Sequence, residues 1–513
     1  MIDHAPRASA GPELPAPDDL VLRLTGEITT KGRRTRLRFQ RRLVDHLRDA
    51  VESAGEDCLV RPEWSRIYLR AGSAAFPSVA RVFGVSSFSV VEAECPADLG
   101  EIVSVGRSTY GARVQGRRFA VRARRAGKHA FNSADVMREL GAALGSGATV
   151  DLSNPDISVH VEIRDDRALF YSERLEGARG LPLGAEARAV CLLSGGFDSA
   201  VAAWMMLRRG VALDYVFCNL GGDAYQRLVL EVAQSIASRW SYGTRPTLIS
   251  LDFEPVVTEL QRVFRPSYQQ IGLKRVMYRT AAALAARLGA DAIVTGEAVG
   301  QVSSQTLANL RAIDDSSPIP VLRPLVGMDK EEIIARSREI GTYELSARVR
   351  EYCSISTGRP ATAASPEAVL QEEEALDRGV LEDAIDSAGL FDLRGLDLAR
   401  LAGDSVFSQD VPDGSVVLDT RPAEQYRTWH WPGAKNLDYG TLLSSFNRMD
   451  REKTYLLYCE VGLKSARVAE LMQSAGYEAY SFLGGVRALR RRAMAPDRQP
   501  AEAKPSGRKP DRR

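Results

Sequence analysis

The sequence predicts a multidomain α+β and α/β protein, in which two small α+β units precede two α/β units. A chain of 513 residues is too long for one hydrophobic core, so we expect several domains. Short strands and helices mix irregularly in the first third, whereas strands and helices alternate from about residue 185. A last alternating unit begins near the segment SVVLDTR.

Composition narrows the class of protein further. The chain is 44% hydrophobic and 26% charged, as in ordinary globular proteins. No apolar run is long enough to cross a membrane, and the first residues lack the apolar core of a secretory signal. We therefore expect a cytoplasmic protein with no membrane partner and with reduced cysteines. Residues 1–18 and 493–513 have the composition of disordered tails.

The first third of the sequence predicts two α+β units. The segment DLVLRLTGEITTKG predicts a strand and a turn, RTRLRFQRRLVDHLRDAVESAG has apolar residues at helical spacing, and RIYLRAG predicts a second strand. This order favours a ferredoxin-like domain over residues 19–75. Residues 76–178 form the second unit, in which ISVHVEIRDDRALFYSER predicts a hairpin that turns at Asp165 and Asp166.

Two basic blocks lie in this first third: KGRRTRLRFQRR and RSTYGARVQGRRFAVRARRAGK, the second without any acidic residue. One such block is ordinarily a solvated face. Two blocks within regular secondary structure favour a polyanion such as nucleic acid. The candidate RNA-binding residues are Arg117, Arg118, Arg122, Arg124, Arg125 and Lys128.

The segment AVCLLSGGFDSAVAAWMMLRRG predicts a strand, a glycine turn and a helix. Gly195 and Gly196 allow several backbone N–H groups to point at one anion, and the helix adds its positive end. Ser194 and Ser199 can donate hydroxyls to phosphate, while Asp198 would act through Mg²⁺ or a basic group. Because a Walker lysine is absent, the turn suits the leaving pyrophosphate of ATP, with AMP moved onto an acceptor oxygen.

This pattern resembles the PP-loop (SGGxDS) ATP pyrophosphatases and implies a doubly wound domain over residues 179–360. Adenine is then expected at the carboxyl ends of neighbouring strands. The residues at those ends are Leu192, Leu193, Phe217 and Cys218. In TGEAVGQVSSQTLANL, Gly296 allows close backbone approach. Arg323, Lys330 and Lys274 are candidates to meet phosphate charge, an ordinary surface base being the alternative for each.

Two cysteines stand apart from the others. Cys353, in the polar segment EYCSISTGRP, is a candidate reactive thiol, because buried structural cysteines usually have apolar neighbours. Cys459 ends the strand YLLY and precedes the loop EVGLK and a helix from Ser465, which favours a thiolate able to carry a persulfide. No C-x-x-C pair is present, so no metal site is predicted.

The surroundings of Cys459 resemble a rhodanese domain over residues 403–492, with Asp419 and Arg421 in a D-x-R start and with a WPGAKN turn. A dual-specificity phosphatase has a similar layout but closes a C-x5-R loop with arginine. Ser465 holds that place here, which disfavours the phosphatase.

Taken together, residues 20–490 resemble the tRNA 4-thiouridine synthase (ThiI) family. The matching pieces include GEITTKG, RRAGKHAF, SGGFDS, FCNLGG, TGEAVGQVSSQTLANLRAID, RPLVGMDK and EYCSIS. The resemblance implies a ferredoxin-like domain, a THUMP RNA-binding domain, a PP-loop domain, a helical linker over residues 361–402 and a rhodanese domain.

The resemblance also implies the reaction: ATP adenylates O4 of uridine 8 in tRNA, and sulfur then replaces that oxygen. Asp198 and Lys330 match the catalytic acid and lysine of the family's adenylation site. ATP-binding positions of the family fall on Lys274, Gly296 and Gln305. Cys459 matches the cysteine that receives sulfur from a cysteine desulfurase, and Cys353 matches its disulfide partner.

Three other functions stay open at this point. The first is sulfur donation for the thiazole ring of thiamine through a small sulfur-carrier protein, which the resemblance also implies and which would need only Cys459 and the rhodanese domain. A non-catalytic RNA-binding protein with a decayed ATP site is disfavoured by the intact SGGFDS segment, and a PP-loop enzyme that amidates a small molecule is disfavoured by the basic and rhodanese-like ends. Dimerisation is not decided by the sequence.

Overall fold

The computed structural model describes residues 18–349, 359–398, 406–460 and 462–494. The chain divides into two compact units. One comprises the chain to Cys218 together with Val229–Leu396, and the other comprises Asn219–Leu228 and the chain from Asp397. Within the described ranges, no helix is long and apolar enough to cross a membrane.

The first domain is an antiparallel sheet with helices on it. Its elements are β1 (Asp18–Leu24), α1 (Gly26–Thr29), α2 (Arg33–Glu52), β2 (Leu59–Pro62), β3 (Arg66–Ala71), α3 (Phe76–Ala80) and β4 (Val85–Val90). β1 pairs with β3 on one side and with β4 on the other. The apolar face of α2 buries Phe39, Leu43 and Leu47 in the core. Because β4 belongs to this sheet, the sheet extends beyond residue 75, where the sequence placed the domain boundary.

The second domain is a sheet with two packed helices. Its elements are β5 (Ala93–Pro96), α4 (Leu99–Val114), β6 (Arg118–Ala126), α5 (Ser133–Leu144), β7 (Thr149–Val150), β8 (Ile157–Arg164) and β9 (Arg167–Tyr171). β8 and β9 form an antiparallel hairpin at the predicted turn, where Asp165 has φ +47°. The chain then returns to the first sheet through β10 (Leu175–Glu176), which pairs with β4.

A buried charge cluster joins these two domains. The Glu162 carboxylate on β8 is 2% exposed and accepts hydrogen bonds from Arg23 on β1 (3.1 Å), Arg66 on β3 (2.6 Å) and Arg164 (2.6 Å). Burial alone would raise the pKa of Glu162, but the three guanidinium groups overcome it and lower this pKa to about 2. The ionised carboxylate therefore stabilises the junction between the two domains.

We expect Glu162→Gln to destabilise the protein by about 3 kcal/mol at pH 7, because it leaves three arginines without their counter-charge. The folded-state pKa is lowered, so this contribution is complete above about pH 4.5 and is lost as the pH falls toward 2. Urea unfolding of both proteins at pH 7 and pH 3 measures the difference, which should shrink by more than half at pH 3. Asp45→Asn, which breaks the exposed pair between Asp45 and Arg48, is the control. An equal difference at both pH values would contradict the assignment.

The third domain is a doubly wound α/β fold. Its elements are β11 (Arg188–Leu192), α6 (Phe197–Arg208), β12 (Ala212–Asn219), α7 (Gly222–Trp240), β13 (Thr247–Asp252), α8 (Glu254–Val263), α9 (Gln269–Leu288), β14 (Ala292–Val294), α10 (Leu307–Asp314), β15 (Val321–Leu322), α11 (Lys330–Ile340), α12 (Tyr343–Ser346), α13 (Pro366–Glu373), α14 (Gly379–Asp386) and β16 (Gly389–Asp392). The strand order is β15-β14-β11-β12-β13-β16. β11 pairs in parallel with β12 and with β14, and β16 pairs antiparallel with β13 at the edge.

This strand order creates a crevice next to β11. The chain runs from β11 outward through β12 and β13, and then returns to place β14 on the other side of β11. Open parallel sheets bind ligands at such a reversal, outside the carboxyl ends of the strands. The glycine turn follows β11 and the TGEA segment follows β14, so the topology brings both to one crevice.

The described part of the predicted linker packs onto this domain. Glu373 on α13 accepts hydrogen bonds from Arg275 and Arg279 of α9, and Arg275 is fully buried. β16 then adds a sixth strand to the sheet. Residues 359–396 therefore belong to the first compact unit, because a buried charge pair and a strand ladder fasten them there.

The second unit is a smaller α/β fold. Its elements are β17 (Phe407–Ser408), β18 (Val416–Asp419), α15 (Ala423–Thr428), β19 (Lys435–Asn436), α16 (Tyr439–Ser445), β20 (Thr454–Tyr458), α17 (Leu463–Ser474), β21 (Glu478–Phe482) and α18 (Gly485–Met494). The strand order is β17-β21-β20-β18-β19, and each neighbouring pair is parallel. Cys459 directly follows the central strand β20.

Candidate functional site

The glycine turn after β11 has the geometry of an anion cradle. Gly195 has φ +79°, which an L side chain rarely adopts, and Gly196 precedes the first residue of α6. The Ser199 hydroxyl accepts a hydrogen bond from the Ser194 backbone N–H (3.2 Å) and lies 3.2 Å from the Ser194 hydroxyl. The turn therefore brings a glycine with positive φ, two hydroxyls and the N-terminus of α6 together, an arrangement suited to binding an anion.

Asp198 and Lys330, predicted from distant segments, meet beside this turn. The Lys330 Nζ lies 2.7 Å from Asp198 Oδ1, and Gln301 donates to Asp198 Oδ2 at 2.8 Å. Lys330 is the first residue of α11, where the helix dipole disfavours a cation. A lysine held at this unfavourable place, next to an anion cradle, is suited to stabilising phosphate charge.

The TGEA segment packs directly on the glycine turn. A Cβ on Gly296 would lie 2.6 Å from both the carbonyl carbon of Asp198 and the backbone nitrogen of Ser199, so only glycine fits. The next residue, Glu297, is buried and accepts hydrogen bonds from Thr295 (3.1 Å) and from Arg323 (3.0 Å). The predicted close approach at Gly296 is thus present in the structure.

Glu297 was not predicted, although it lies inside the quoted segment. Its Oε1 is 3.5 Å from Nζ of the predicted Lys274, and Tyr278 donates a hydrogen bond to its Oε2. Burial would raise the pKa of Glu297, but Lys274, Tyr278 and Arg323 together hold it below the usual range. Glu297 therefore stays ionised and holds Lys274 and Arg323 near the crevice.

Gln305 supplies a buried acceptor to the same region. The residue is 8% exposed, and its Oε1 has no hydrogen-bond partner among the residues that the structure describes. Its backbone oxygen accepts from the N–H of Gly300, next to the Gln301 that contacts Asp198. An unsatisfied buried acceptor of this kind costs about 1–3 kcal/mol.

The other predicted nucleotide contacts lie at the same sheet edge. Leu192 ends β11 and Leu193 follows it, while Phe217 and Cys218 lie in the last residues of the neighbouring strand β12. Leu193 donates its backbone N–H to Val216 O at 3.0 Å. These residues border the crevice at the carboxyl ends of the strands, where adenine is expected.

The thiol of Cys459 lies in a second, separate loop. Its Sγ accepts hydrogen bonds from the backbone N–H of Gly462 (3.1 Å) and from the Ser465 hydroxyl (3.4 Å). Gly462 has φ +97°, and the Ser481 hydroxyl lies 2.8 Å from that of Ser465. Such donors stabilise negative charge on sulfur. The helix begins at Leu463, two residues before the predicted Ser465.

The predicted D-x-R pair fixes the base of this loop. Arg421 forms a bidentate ion pair with the buried Asp419 (2.9 and 2.6 Å) and donates to the carbonyl of Trp429 at 2.7 Å. Arg421 also lies 3.8 Å from Glu460, the residue after Cys459. Cys353, the predicted partner thiol, lies outside the described residues.

The predicted RNA-binding residues lie on or beside β6. All six are exposed: Arg117, Arg118, Arg122, Arg124, Arg125 and Lys128. Arg118 is held by Asp156 at 2.8 Å, and Arg122 donates to the carbonyl of Leu152 at 2.8 Å. These contacts orient individual guanidinium groups but leave the strand with a basic exposed face.

The fold and these two sites define a class: a PP-loop nucleotide-binding protein that also has a rhodanese-like thiol loop. Family models agree, domain by domain. They match a ThiI ferredoxin-like domain at residues 20–89, a THUMP domain at 103–173, the thiamine biosynthesis protein (ThiI) at 184–377 and a rhodanese-like domain at 405–491.

Whole-chain comparisons identify the family. A tRNA sulfurtransferase of Pyrobaculum aerophilum is 39% identical over 90% of this chain and 96% of its own length. One from Proteus mirabilis is 34% identical over 89% of this chain and 98% of its own. A crystal structure of a 4-thiouridine synthetase–RNA complex with bound ATP aligns with TM-score 0.62 and 28% identity, covering 73% of this chain and 99% of that one. The chain belongs to the tRNA sulfurtransferase (ThiI) family.

Proposed function

We propose that the protein uses ATP to adenylate uridine 8 of tRNA and then transfers persulfide sulfur from Cys459, giving 4-thiouridine. The observation that carries this proposal is the contact between Asp198 and Lys330 (2.7 Å) beside the glycine turn, in a chain that also holds a donor-lined thiol. The likeness to a 4-thiouridine synthetase that binds RNA and ATP supports the same reaction.

In the first step, O4 of the uracil forms a bond to the α-phosphorus of ATP. The bond from that phosphorus to its bridging oxygen breaks, pyrophosphate leaves with the electron pair, and N3 of the base loses its proton. The glycine turn and Lys330 stabilise the charge that develops on the leaving pyrophosphate. AMP attached at O4 is then a good leaving group.

Mg²⁺ would enter this site with ATP. Magnesium in nucleotide sites is usually held by one or two carboxylates together with the substrate phosphates. Asp198 is the carboxylate that fits this role, because it lies in the first turn of α6, directly after the glycine turn, and each of its oxygens keeps a lone pair beyond its contact with Lys330 or Gln301. The metal would neutralise phosphate charge during the transfer of AMP.

In the second step, the terminal sulfur of a Cys459 persulfide attacks C4 of the base, and AMP leaves with the electron pair of the C4–O bond. The Cys353 thiolate then attacks Sγ of Cys459, and the S–S bond breaks to leave a thiolate sulfur on C4. N3 takes up a proton from water, which gives 4-thiouridine. The two cysteines are left oxidised as a disulfide, so an external dithiol must supply two electrons per turnover. A cysteine desulfurase would reload Cys459.

The test is a thiolation assay with unmodified tRNA, MgATP, cysteine, a cysteine desulfurase and a dithiol reductant. We expect 4-thiouridine, read by its absorbance, and one AMP for each thiolated base. A tRNA in which uridine 8 is replaced by cytidine is the substrate control. Absence of both tRNA-dependent AMP and 4-thiouridine would overturn the proposal.

The basic face on β6 is the surface we propose for RNA backbone phosphates. Replacing Arg122, Arg124 and Arg125 together with glutamine should weaken tRNA binding and reduce the slope of log K against log salt by about 2 to 3, because fewer counterions are released. Anisotropy titrations over a range of salt concentrations measure both quantities. The control replaces three exposed arginines of the third domain, Arg245, Arg262 and Arg287. Equal binding at matched salt would contradict this surface.

A second candidate function is sulfur donation for thiamine thiazole synthesis, which the family description as a thiamine biosynthesis protein favours. Only Cys459 and its loop would act, and the acceptor would be a small sulfur-carrier protein. This role needs no adenylation by the present chain. It should therefore survive changes at Asp198 that abolish tRNA thiolation.

A further inference from the structure

A second large cavity lies at the end of α6 that is remote from the glycine turn. Its volume is about 850 Å³, and it lies between α1, α6, the turn before α11, and α11 itself. α6 begins at the turn and ends at Arg208, and a helix of 12 residues is about 18 Å long. The cavity is thus distinct from the nucleotide crevice.

Arginine dominates the ionisable groups that line this cavity. Four arginines face it against two glutamates: Arg179, Arg208, Arg209 and Arg336 against Glu27 and Glu332. Three of these arginines have acidic partners, since Arg209 pairs with Glu27 (2.9 Å), Arg179 with Glu176 (2.8 Å) and Arg336 with Glu339 (2.5 Å). Arg208, half-buried, has no ion pair or side-chain hydrogen bond within the described ranges.

Two of these guanidinium groups pack against the same aromatic ring. Arg208 and Arg336 each lie over the Trp204 ring, with 5.4 Å from the guanidinium carbon to the ring centroid. Trp204 is held in turn by Phe83 and Trp240. Stacking on a rigid ring leaves the N–H groups at the guanidinium edges free to bind planar or tetrahedral oxyanions.

The charges around Arg208 favour the binding of an anion. Burial and the neighbouring Arg336, Arg179 and Arg209 lower the pKa of Arg208, so its charge is held in an unfavourable field. A bound anion would offset the repulsion between the arginines.

We propose that this cavity is an anion site that binds a phosphate group and is separate from the nucleotide site. Two molecules can supply this phosphate group: bound tRNA, through a backbone phosphodiester, or free inorganic phosphate. The tRNA source rests on the proposed function, whereas the free-anion source does not. In both cases Arg208 and Arg336 supply the charge-assisted hydrogen bonds.

The test compares the full-length protein with the double variant Arg208→Gln/Arg336→Gln. Arg287→Gln, an exposed arginine on α9 outside the cavity, is the control. All samples contain a saturating ATP analogue that cannot be cleaved, so that the glycine turn is occupied. One arm measures the thermal midpoint with inorganic phosphate against chloride at equal ionic strength. The other measures affinity for unmodified tRNA over a range of salt concentrations.

The two sources of the phosphate group predict different results. If tRNA supplies the phosphate, the double variant should bind tRNA about 10-fold more weakly, with a salt slope smaller by about 1, and phosphate should not shift the wild-type midpoint. If the anion is free, phosphate should raise the wild-type midpoint but not that of the double variant, and tRNA affinity should be equal. A double variant that matches the control in both arms overturns the proposal.

The midpoints in chloride, without phosphate or tRNA, show whether the double variant is folded, and removing mutually repelling cations should leave its midpoint equal or higher. Measurements on the wild type alone distinguish failure of the proposed tRNA thiolation from failure of the proposed anion site. A wild type that neither binds nor thiolates tRNA contradicts that function, whereas the phosphate arm still decides whether the cavity binds an anion.

Discussion

Cys459→Ala is expected to lower tRNA thiolation by on the order of 10³-fold or more while tRNA-dependent AMP formation continues. The alanine removes the only atom of this side chain that can carry a persulfide. Its loop donors, Gly462 and Ser465, stay in place because they have contacts of their own: the Ser481 hydroxyl donates to the carbonyl of Gly462 (2.9 Å), and the Ser465 hydroxyl lies 2.8 Å from that of Ser481. The readouts are the absorbance of 4-thiouridine and the release of AMP.

The control for this experiment is Cys58→Ala, which alters a half-buried free cysteine of the first domain. It should leave both readouts unchanged. Persistent thiolation by Cys459→Ala would show that sulfur arrives by another route. Loss of AMP formation along with thiolation would contradict the separation of the two steps.

Asp198→Asn is expected to reduce both AMP formation and thiolation by about 10²- to 10³-fold. The substitution keeps the shape of the side chain but removes the negative charge 2.7 Å from Lys330 Nζ. Lys330 then loses its orientation toward the glycine turn, and the proposed Mg²⁺ site would lose its protein carboxylate. The Lys330 side chain is 42% exposed, so its charge stays solvated and the thermal midpoint should change little.

Asp291→Asn, an exposed carboxylate just before β14, is the matched control and should keep full activity. Sulfur donation to a sulfur-carrier protein should also survive Asp198→Asn, because that transfer needs only the Cys459 loop. Normal AMP formation by Asp198→Asn would contradict the role given to the Asp198–Lys330 pair.

Much of the nucleotide site could be predicted from local sequence. The glycine turn, its two serines and the close approach at Gly296 are each encoded within a few residues, and they lie where strand–turn–helix order requires. The contact between Lys330 and Asp198 spans 132 positions, and the sequence alone could propose it only through a family resemblance. Glu297 escaped prediction because its role comes from Tyr278, Arg323 and Lys274, which converge on it only in the folded chain.

The boundaries between domains could be predicted less well from the sequence than the nucleotide site. Periodicity reveals that a segment is a strand, but not which sheet it joins, so the assignment of β4 and β16 to their sheets depended on long-range pairing. The Glu162 cluster shows the same limit, because its arginines come from three strands.

The sequence by itself determined the order of the units, the glycine turn and the cysteine loop, because each depends on neighbouring residues and local backbone preferences. Only the tertiary structure decided which charges meet. It placed Lys330 on Asp198, joined two sheets through Glu162, and gathered four arginines around Trp204, since buried charges and cavities arise where segments distant in sequence pack together.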